Sequence, residues 1–453
     1  MTLRIAAALT LVLLYAALCA AIWRRERRKR QATRDEAAAL SAAREGVAPL
    51  LVVFASQTGQ AEELARETAR LLHTAGEPVQ LCALGAVDAE LLARTRRALF
   101  IASTYGEGDA PDNAAAFSFD DDAAPELAQL QYGLLALGDR QYTHFCAFGR
   151  RLDGWLRARG AVPMFERVEM DNGDPAALTA WQHQLTQVAS LSELPAWQAA
   201  PDFEDWTLAA RRHLNPGSAG APVFHIELAP PQGAAAAWES GDLVQVRAPA
   251  DPEHPREYSI ASVASDGRVH LVVRQARRDD GTPGVASSWL THGLALGGTV
   301  ALRLREHRNF RLEDNAARPL ILIGNGTGIA GLRAHLRARA ASGAGPNWLI
   351  FGERQAAHDY LFQDEIAQWQ STGVLQRLDL AFSRDQAGRV YVQHRLAESA
   401  GTLREWLEAG AALYVCGSLR GMAQGVDDAL AALLGREQVA RLLRSGRYRR
   451  DVY

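Results

Sequence analysis

Hydrophobic positions in the first part of the chain are spaced as in alternating strands and helices. From Val47 onward, the short apolar runs "LLVVFAS" (50–56), "RALFIAST" (97–104) and "YGLLALGD" (132–139) are separated by amphipathic stretches such as Glu62–His73. This spacing predicts βαβ units and therefore a parallel sheet. Because such sheets bind ligands at the carboxyl ends of their strands, the polar residues that end each run are candidate site residues.

Further along the chain the spacing changes twice. Near Pro222 it becomes strict alternation, in "PVFHIEL", "DLVQVRAP", "REYSIAS" and "RVHLVVRQAR", which predicts an antiparallel barrel or sandwich. From about Arg318 the strand–helix pattern returns, in "PLILIGNGTGIAGLRAHL", "NWLIFGER", "RLDLAFSRD" and "ALYVCGS". We therefore predict three folded units, an α/β sheet at 47–190, a β barrel at 221–316 and an α/β sheet at 317–453, with a linker at 191–220.

The N-terminus has the pattern of a membrane anchor. Ile5–Trp23 carries no charge, and a helix of that length would span about 28 Å, close to the hydrocarbon core of a bilayer. The basic cluster "RRERRKR" (24–30) follows, and positive flanks stay cytoplasmic. We predict a single transmembrane helix with its basic flank at 1–30, a tether at 31–46 and catalytic units that face the cytoplasm. The alternative is a cleaved secretory signal, which the basic cluster after the apolar run opposes.

Composition excludes several classes of protein. The chain has 453 residues and a formal net charge of −3, which argues against a nucleic-acid binder. Its four cysteines, Cys19, Cys82, Cys146 and Cys416, are scattered, with no CxxC pair or histidine cluster. We therefore predict neither a disulfide framework nor a structural metal site.

The first strand exit predicts a phosphate-binding loop. It consists of Ser56, Gln57, Thr58, Gly59, Gln60 and Ala61, directly before a helix. Backbone N–H groups of such a loop bind anions, and the two hydroxyls add donors. There is no lysine, so the loop is not a Walker loop, and a phosphate monoester fits better. A helix capped by Ser or Thr is the structural alternative.

Two further strand exits carry an aromatic residue each. The candidates are Ser103, Thr104, Tyr105 and Gly106 in "STYGEGDAPDNA", and Gly138, Asp139, Tyr142 and Phe145 in "ALGDRQYTHFCAFG". A planar ring held between two aromatic walls gains stacking energy on both faces. With the phosphate loop, this set resembles the flavodoxin family, and the third loop resembles the FMN domain of diflavin reductases. The resemblance implies that FMN binds with its phosphate on the first loop and its ring between Tyr105 and Tyr142.

The alternating region contains a second set of candidates. Arg256, Tyr258 and Ser259 lie in "REYSIAS", and Gly284, Val285, Ala286 and Ser287 begin "GVASSWL". An arginine grips a diphosphate with its forked guanidinium, a tyrosine stacks on a flavin, and a helix N-terminus binds pyrophosphate. An ordinary strand is the alternative. The two motifs resemble the FAD-binding part of ferredoxin–NADP reductases, which implies FAD.

The last unit contains a candidate dinucleotide site. Gly324, Gly326, Thr327 and Gly328 form a glycine loop, and Ser383, Arg384, Arg389, Tyr391 and Gln393 lie in "FSRDQAGRVYVQ". The second stretch resembles the reductases' pocket for an adenosine 2′-phosphate, which favours NADPH over NADH. A solvated surface arginine pair is the alternative. Asn325 and Gly331-Leu332 depart from the family pattern, which has proline at the first position and Pro-Phe at the second.

The final candidates are catalytic. The resemblance implies that Cys416 lies by the nicotinamide, that Asp451 is the partner of Ser259 and Cys416, and that Tyr453 covers the FAD ring. A frayed terminus is the alternative for the last residues. Ser418 and Gly425 stand where the family usually has aspartate, which bears on how nicotinamide is positioned.

Together these motifs are similar to those of the diflavin reductases over nearly all of the chain after residue 47. The fold implied is a flavodoxin-like domain plus a ferredoxin–NADP reductase-like module, and the route implied is NADPH to FAD to FMN to a haem or other iron-containing acceptor protein. Alternatives are the flavoprotein subunit of sulfite reductase, a ferric-chelate or flavin reductase, and an electron-transfer protein with a decayed NADPH site. Only Ala250–Pro255 separate two barrel strands where the family has a helical connecting insert. Acids near the FMN loops, Glu107, Asp109, Asp112, Asp120, Asp121 and Asp122, either steer a basic partner or form a solvated face.

Overall fold

The computed structural model of the chain describes residues 49–106, 108–119, 125–140, 143–189, 197, 202–234, 237–277 and 280–453. Among these residues, no helix is both long enough and apolar enough to cross a bilayer. The predicted anchor (1–30) and tether (31–46) lie outside the described residues, and so does the predicted FMN wall Tyr142.

The first unit is a parallel sheet covered on both faces. Its strands are Leu50–Ala55 (β1), Val79–Ala83 (β2), Arg97–Ser103 (β3), Gln131–Gly138 (β4), Val162–Pro163 (β5) and Val168–Asp171 (β6). The order is β2-β1-β3-β4-β5, and β6 also pairs with β4. Its helices are Gln60–Thr74 (α1), Ala89–Arg94 (α2), Ala147–Ala158 (α3) and Pro175–Val188 (α4). Alternate residues of β1 enter two separate cores, Leu51 and Val53 one and Leu50 and Val52 the other, which explains its continuous apolar run.

The second unit is a six-stranded antiparallel barrel. Its strands are Glu204–His213 (β7), Val223–Ala229 (β8), Leu243–Ala248 (β9), Asp251–Ser259 (β10), Val269–Arg274 (β11) and Thr299–Arg305 (β12), in the order β10-β9-β12-β7-β8-β11. The N–H of Ala261, just after β10, donates to the His270 carbonyl of β11 at 2.7 Å and joins the two ends of the sheet. A short helix, Val285–Ser288 (α5), runs into a π-helical turn at Trp289–Gly293.

Two connections in the barrel bear on the predictions. The structure places β7 inside the segment that the sequence assigned to the linker at 191–220. The apolar alternation of β7 is obscured by acids at its start and arginines near its end, and only Trp206 and Leu208 are fully buried there. Between β9 and β10 there are only two residues, so the connecting insert expected from the family is absent at this point.

The third unit is a second parallel sheet. Its strands are Leu320–Asn325 (β13), Asn347–Glu353 (β14), Arg377–Phe382 (β15), Ala412–Gly417 (β16) and Tyr448–Val452 (β17), in the order β15-β14-β13-β16-β17. Its helices are Ile329–Ser342 (α6), Ala356–Asp359 (α7), Gln363–Ser371 (α8), Val392–Glu398 (α9), Ala400–Glu408 (α10), Gln424–Leu434 (α11) and Arg436–Arg444 (α12). Short 3₁₀ turns lie at Leu84–Ala86, Asp112–Ala114, Ala264–Asp266, Glu313–Asn315 and Gly326–Gly328, and a π-helical turn at Leu419–Ala423.

The barrel and the third sheet share a core, whereas the first sheet has its own. Val223, Ala261 and Val272 of the barrel pack with Leu322 and Leu349 of the third sheet in one buried cluster. The predicted combination of a flavodoxin-like unit with a barrel and an α/β unit is thereby confirmed at the level of architecture.

Candidate functional site

The carboxyl edges of both parallel sheets face the barrel, and one cavity of about 740 Å³ lies between the three units. It is lined by predicted residues from every unit: Gln57, Thr58, Gln60, Ser103, Thr104, Tyr105, Gly106, Gly138, Asp139 and Phe145 from the first, Arg256, Tyr258 and Ser259 from the second, and Thr327, Asp451 and Tyr453 from the third. Residues separated by up to about 400 positions in sequence therefore meet around a single space.

A buried hydrogen-bonded triad lies at the wall of this cavity. The Ser259 hydroxyl donates to Oδ2 of Asp451 at 2.6 Å, and the Cys416 thiol donates to the same oxygen at 3.6 Å. Asp451 is buried, and Cys416 is fully buried. Burial, followed by the charge of Asp451, raises the pKa of the Cys416 thiol well above its ordinary value. The thiol therefore keeps its proton at neutral pH and holds it at the sulfur, directed at Asp451.

The last residue closes the same region. Tyr453 is held through its backbone, because its N–H donates to Gly417 and its carbonyl accepts from Leu419, both at 2.9 Å. Its hydroxyl donates to the hydroxyl of Thr327 in the glycine loop at 3.1 Å. The side chain is 54% exposed although its backbone is fixed, so it lies on the cavity as a cover.

The glycines of the third-sheet loop allow a close approach of two strand ends. A Cβ at Gly328 would overlap the Cys416 carbonyl, and a Cβ at Gly324 would lie 2.6 Å from the same oxygen. The loop therefore requires glycine because β13 and β16 pack edge to edge behind it.

A second cavity of about 500 Å³ lies on the other side of this loop. The predicted residues Gly326, Ser383, Arg384, Tyr391 and Gln393 line it. Arg389 is exposed and is not among its lining residues. Sequence analysis missed Arg274 and Arg354, which line it too, and Arg274 is paired there with the Glu353 carboxylate.

Comparisons with known proteins agree with this arrangement. The flavodoxin family matches residues 52–181, and the oxidoreductase NAD-binding domain family matches residues 322–428. A sulfite reductase [NADPH] flavoprotein alpha-component from Vibrio cholerae is 31% identical and covers 89% of this chain and 87% of its own length. The corresponding protein of Vibrio parahaemolyticus is 30% identical over 92% of this chain and 88% of its own, and that of Neisseria meningitidis 29% identical over 89% of each.

The chain belongs to the diflavin reductase family. It is an NADPH-dependent flavoprotein oxidoreductase with FMN, FAD and NADPH as its cofactors. The alignment with the first relative runs over 536 positions, more than the 453 residues of the chain, so the relative has segments without a counterpart here. When bound, NADPH supplies a hydride, and the two flavins convert that electron pair into single electrons.

The first-sheet loop fits the FMN phosphate. Gly59 has φ of 90°, a conformation that favours glycine, and it begins α1 with free N–H groups of the first turn. The hydroxyl oxygen of Ser56 is buried and has no hydrogen-bond partner among the described residues. A phosphate oxygen would satisfy this hydroxyl, which lies in the loop that leads into the N-terminus of α1. Ala61 belongs to the first turn of α1 and is fully buried in the core.

Of the two predicted walls of the FMN ring pocket, the structure describes the Tyr105 loop at the tyrosine itself and the second loop at Phe145 but not at Tyr142. Tyr105 lines the cavity, and its hydroxyl donates to the Val452 carbonyl. In the third loop, Phe145 lines the cavity and stacks with the guanidinium of Arg140, 4.9 Å from its ring centre. Ser103 and Thr104 act within the protein, because the first donates to the Ala55 carbonyl at 3.0 Å and the second accepts from the Phe148 N–H at 3.2 Å.

The barrel provides the FAD side. Tyr258 lines the cavity, and burial raises the pKa of its hydroxyl, which therefore stays protonated. Arg256 is oriented by the Asp251 carboxylate at 3.3 Å. Gly284, Val285, Ala286 and Ser287 do not line the shared cavity. Ser287 instead accepts from the N–H of Ala276, a lining residue, at 3.1 Å.

The residues that depart from the family pattern make specific contacts within the third unit. The side-chain oxygen of Asn325 accepts the N–H of Ser418 at 3.0 Å, so two of the unusual residues form a pair behind the glycine loop. At Gly425 a Cβ would lie 2.7 Å from the Gln393 amide, so Gln393 fills the space that a larger residue would occupy. The NADPH cavity thus has a different set of internal contacts rather than a void.

One group of potential metal ligands is formed by residues distant in sequence. His225, Glu227 and His270 bring their ligand atoms within 4.8 Å of one another. The Arg333 guanidinium lies 3.2 Å from Nδ1 of His270, and burial, with this cation next, lowers the pKa of His270 to about 4. A cation at this position would meet a guanidinium, so we assign no metal site here.

Proposed function

We propose that this reductase passes electrons from NADPH through FAD and FMN to a one-electron acceptor, a haem protein. The supporting observation is the shared cavity, because FMN loops and the FAD strand line the same space without a wall of protein between them. Tyr105 reaches the end of β17, where its hydroxyl donates to the carbonyl of Val452, the residue before Tyr453. Two flavins bound there would lie within electron-transfer range.

Different residues of the chain bind NADPH and orient its nicotinamide. Arg384 and Ser383 bind the adenosine end of NADPH, and the triad of Ser259, Cys416 and Asp451 orients the nicotinamide and holds protons beside the reacting flavin. Tyr453 lines the shared cavity, where it would cover the ring of bound FAD. These intact contacts argue against a decayed NADPH site.

We also propose that the enzyme is anchored in the membrane by Ile5–Trp23, with its catalytic units in the cytoplasm. The sequence supports this through the nineteen uncharged residues and the basic cluster at 24–30. Deleting residues 1–30 is expected to release active protein into the soluble fraction. Membrane association that persists after the deletion would contradict the anchor.

A second candidate is the flavoprotein component of a sulfite reductase. It is favoured by the relatives, which are sulfite reductase [NADPH] flavoprotein alpha-components and match nearly all of the chain. The two candidates differ in acceptor and not in the route through the flavins.

The test uses the full chain in detergent. Extraction of the cofactors is expected to give FMN and FAD in equal amounts, and anaerobic NADPH is expected to bleach the flavin absorbance. The reduced enzyme is then mixed with a c-type cytochrome, with a sulfite-reducing haemoprotein, and with a ferric chelate as the control acceptor. Transfer only to the chelate would contradict both candidates, and a single kind of flavin in fully loaded protein would contradict the route.

A further inference from the structure

The absence of the connecting insert leaves open what holds the FMN unit in place. The turn between β9 and β10 has only two residues and, among the described residues, makes no hydrogen bond to the first sheet. Among the described residues, the hydrogen bonds and ion pairs between the first unit and the other two come from two segments. These are the end of β12 with the residues after it, and β17.

The first segment binds the phosphate loop through alternate residues. Arg305, His307 and Asn309 each direct a side-chain nitrogen at its backbone carbonyls, Arg305 to Thr58 at 3.4 Å and His307 to Gln57 at 3.1 Å. The Asn309 amide donates to the carbonyls of Ser56 and Gln57, at 2.9 and 3.1 Å. His307 is fully buried, and a carbonyl can only accept, so its Nε2 must carry the proton.

This arrangement fixes which side of the loop faces the ligand. When three consecutive carbonyls of the loop point at the barrel, the N–H groups of the following turn are left for the phosphate. Gly59 lies close to the same segment, where a Cβ would be 3.3 Å from the Glu306 carbonyl. The barrel thus completes the FMN loop from behind.

The second segment is β17. The Arg450 guanidinium forms a bidentate pair with Asp112 of the first unit, through Nε at 3.0 Å and through Nη2. It also pairs with Asp427 in α11 of the third unit. The Gln57 amide donates to Oδ2 of Asp112 at 3.1 Å and to the Arg450 carbonyl at 3.3 Å. Two positions further on, the Val452 carbonyl accepts from Tyr105. Asp112 is therefore bound to the chain itself and is not available to steer a partner.

We propose that Arg305, His307, Asn309 and Arg450 form an interflavin clasp that replaces the family's connecting insert and holds FMN beside FAD. Each transfer across the gap takes one electron from reduced FAD and gives it to FMN, and the hydride of NADPH has already supplied the pair. The inference rests on the proposed route through the two flavins. The clasp residues are positioning residues, because they contact the FMN loops and do not touch the reacting atoms.

The chain offers a matched control on the same strand. Arg449 precedes Arg450, and its side chain is 14% exposed against 17% for Arg450. Arg449 pairs with Glu313 and donates to the carbonyls of Arg308 and Arg311, none of which belongs to the first sheet. Arg449→Gln therefore removes a similar charge beside the same interface but none of the hydrogen bonds to the FMN unit.

The test compares full-length Asp112→Asn, Asn309→Ala and Arg449→Gln. Asp112→Asn is nearly isosteric and leaves Arg450 paired with Asp427, so the fold is retained. Hydrogen exchange is followed by mass spectrometry in peptides covering 51–60 and 103–113. In these peptides we expect exchange at least tenfold faster than in the unmodified chain for Asp112→Asn and Asn309→Ala. For Arg449→Gln we expect the exchange rate to be unchanged. Stopped-flow mixing with NADPH should show FAD reduction at the rate of the unmodified chain and FMN reduction slowed at least tenfold.

Two results would overturn the clasp. They are unchanged exchange in both interface variants, or FMN reduction as fast as in the unmodified chain. Failure of the proposed function is a separate result. In that case both flavins of the unmodified protein would stay oxidised after NADPH is added, while hydrogen exchange would still report on the clasp.

Discussion

The two parallel sheets of this reductase have the same architecture but complete their binding loops in different ways. The loop after β13 is supported by its own sheet, through the carbonyl of Cys416 and the pair of Asn325 with Ser418. The loop after β1 is supported by other units, through His307 and Asn309 of the barrel side. The glycine loop of the NADPH site is therefore supported mainly by its own sheet, with Arg274 of barrel strand β11 in the cavity wall, whereas the FMN site exists in full only when the three units are assembled.

The triad combines Ser259 of the barrel with Cys416 and Asp451 of the third sheet, and its disruption should have the largest effect. Asp451→Asn replaces the acceptor shared by Ser259 and Cys416 with a neutral amide. We expect FAD reduction by NADPH to slow by about 10³-fold, as when a positioned proton-holding group is lost. Stopped-flow absorbance measures the rate, and extracted FAD content is the control. A normal rate in fully loaded protein would show that Asp451 has no part in hydride transfer.

The NADPH cavity predicts strong discrimination between NADPH and NADH by a single residue. Arg384→Ala removes a cation from the NADPH cavity, next to buried Ser383. A lost charge-assisted contact with a phosphate should raise the KM for NADPH by about 100-fold and leave that for NADH nearly unchanged. Arg441→Ala, which removes an exposed arginine of α12 outside this cavity and outside the predicted NADPH motif, is the control. Equal losses with both nucleotides would remove the claim that this cavity binds the 2′-phosphate.

Glycine substitutions separate the two kinds of loop directly. Gly328→Ala meets the Cys416 carbonyl within the same sheet and should destabilise the protein by about 2 kcal/mol through overpacking. Gly59→Ala, at φ of 90°, should cost about 1 kcal/mol and should also loosen contacts to the barrel at Glu306.

Urea unfolding monitored by far-UV circular dichroism measures both changes. Gly401→Ala in α10, where the space around the Cβ is open, is the control and should stabilise the helix slightly. If Gly59→Ala left FMN retention unaffected, the dependence of that loop on the barrel would be contradicted.

The sequence predicted the site residues whose partners lie in the same sheet better than those whose partners lie in another unit. Ser383, Arg384 and the glycine loop were identified because each motif is local and its partners lie in the same sheet. Arg450 was missed because its partner Asp112 lies 338 positions away and nothing in either segment points to the other. The alternation of Arg305, His307 and Asn309 was a usable signal, since three polar residues at every second position imply one common face. The strand β7 was missed because charges at both ends hide its two buried positions.

The smallest effect concerns pH, and it should again separate the two sheets. His335 of α6 is fully buried, and burial lowers its pKa to about 3, so it stays neutral in the folded chain. The unfolded chain binds a proton at this position below its ordinary value of about 6.5, so folding stability falls as the pH drops from about 6.5 towards 3. His73, His144 and His183 of the first unit are all exposed.

His335→Leu should therefore reduce the loss of stability between pH 7 and pH 5 by about 1–2 kcal/mol. Urea titrations at the two pH values measure the change, and His183→Leu, at an exposed position of α4, is the control. If the two variants lost stability equally with falling pH, the sensitivity would not come from this buried ring. In that case the acid-labile part would have to be sought elsewhere, and next at His225, whose pKa burial lowers to about 3 in the barrel.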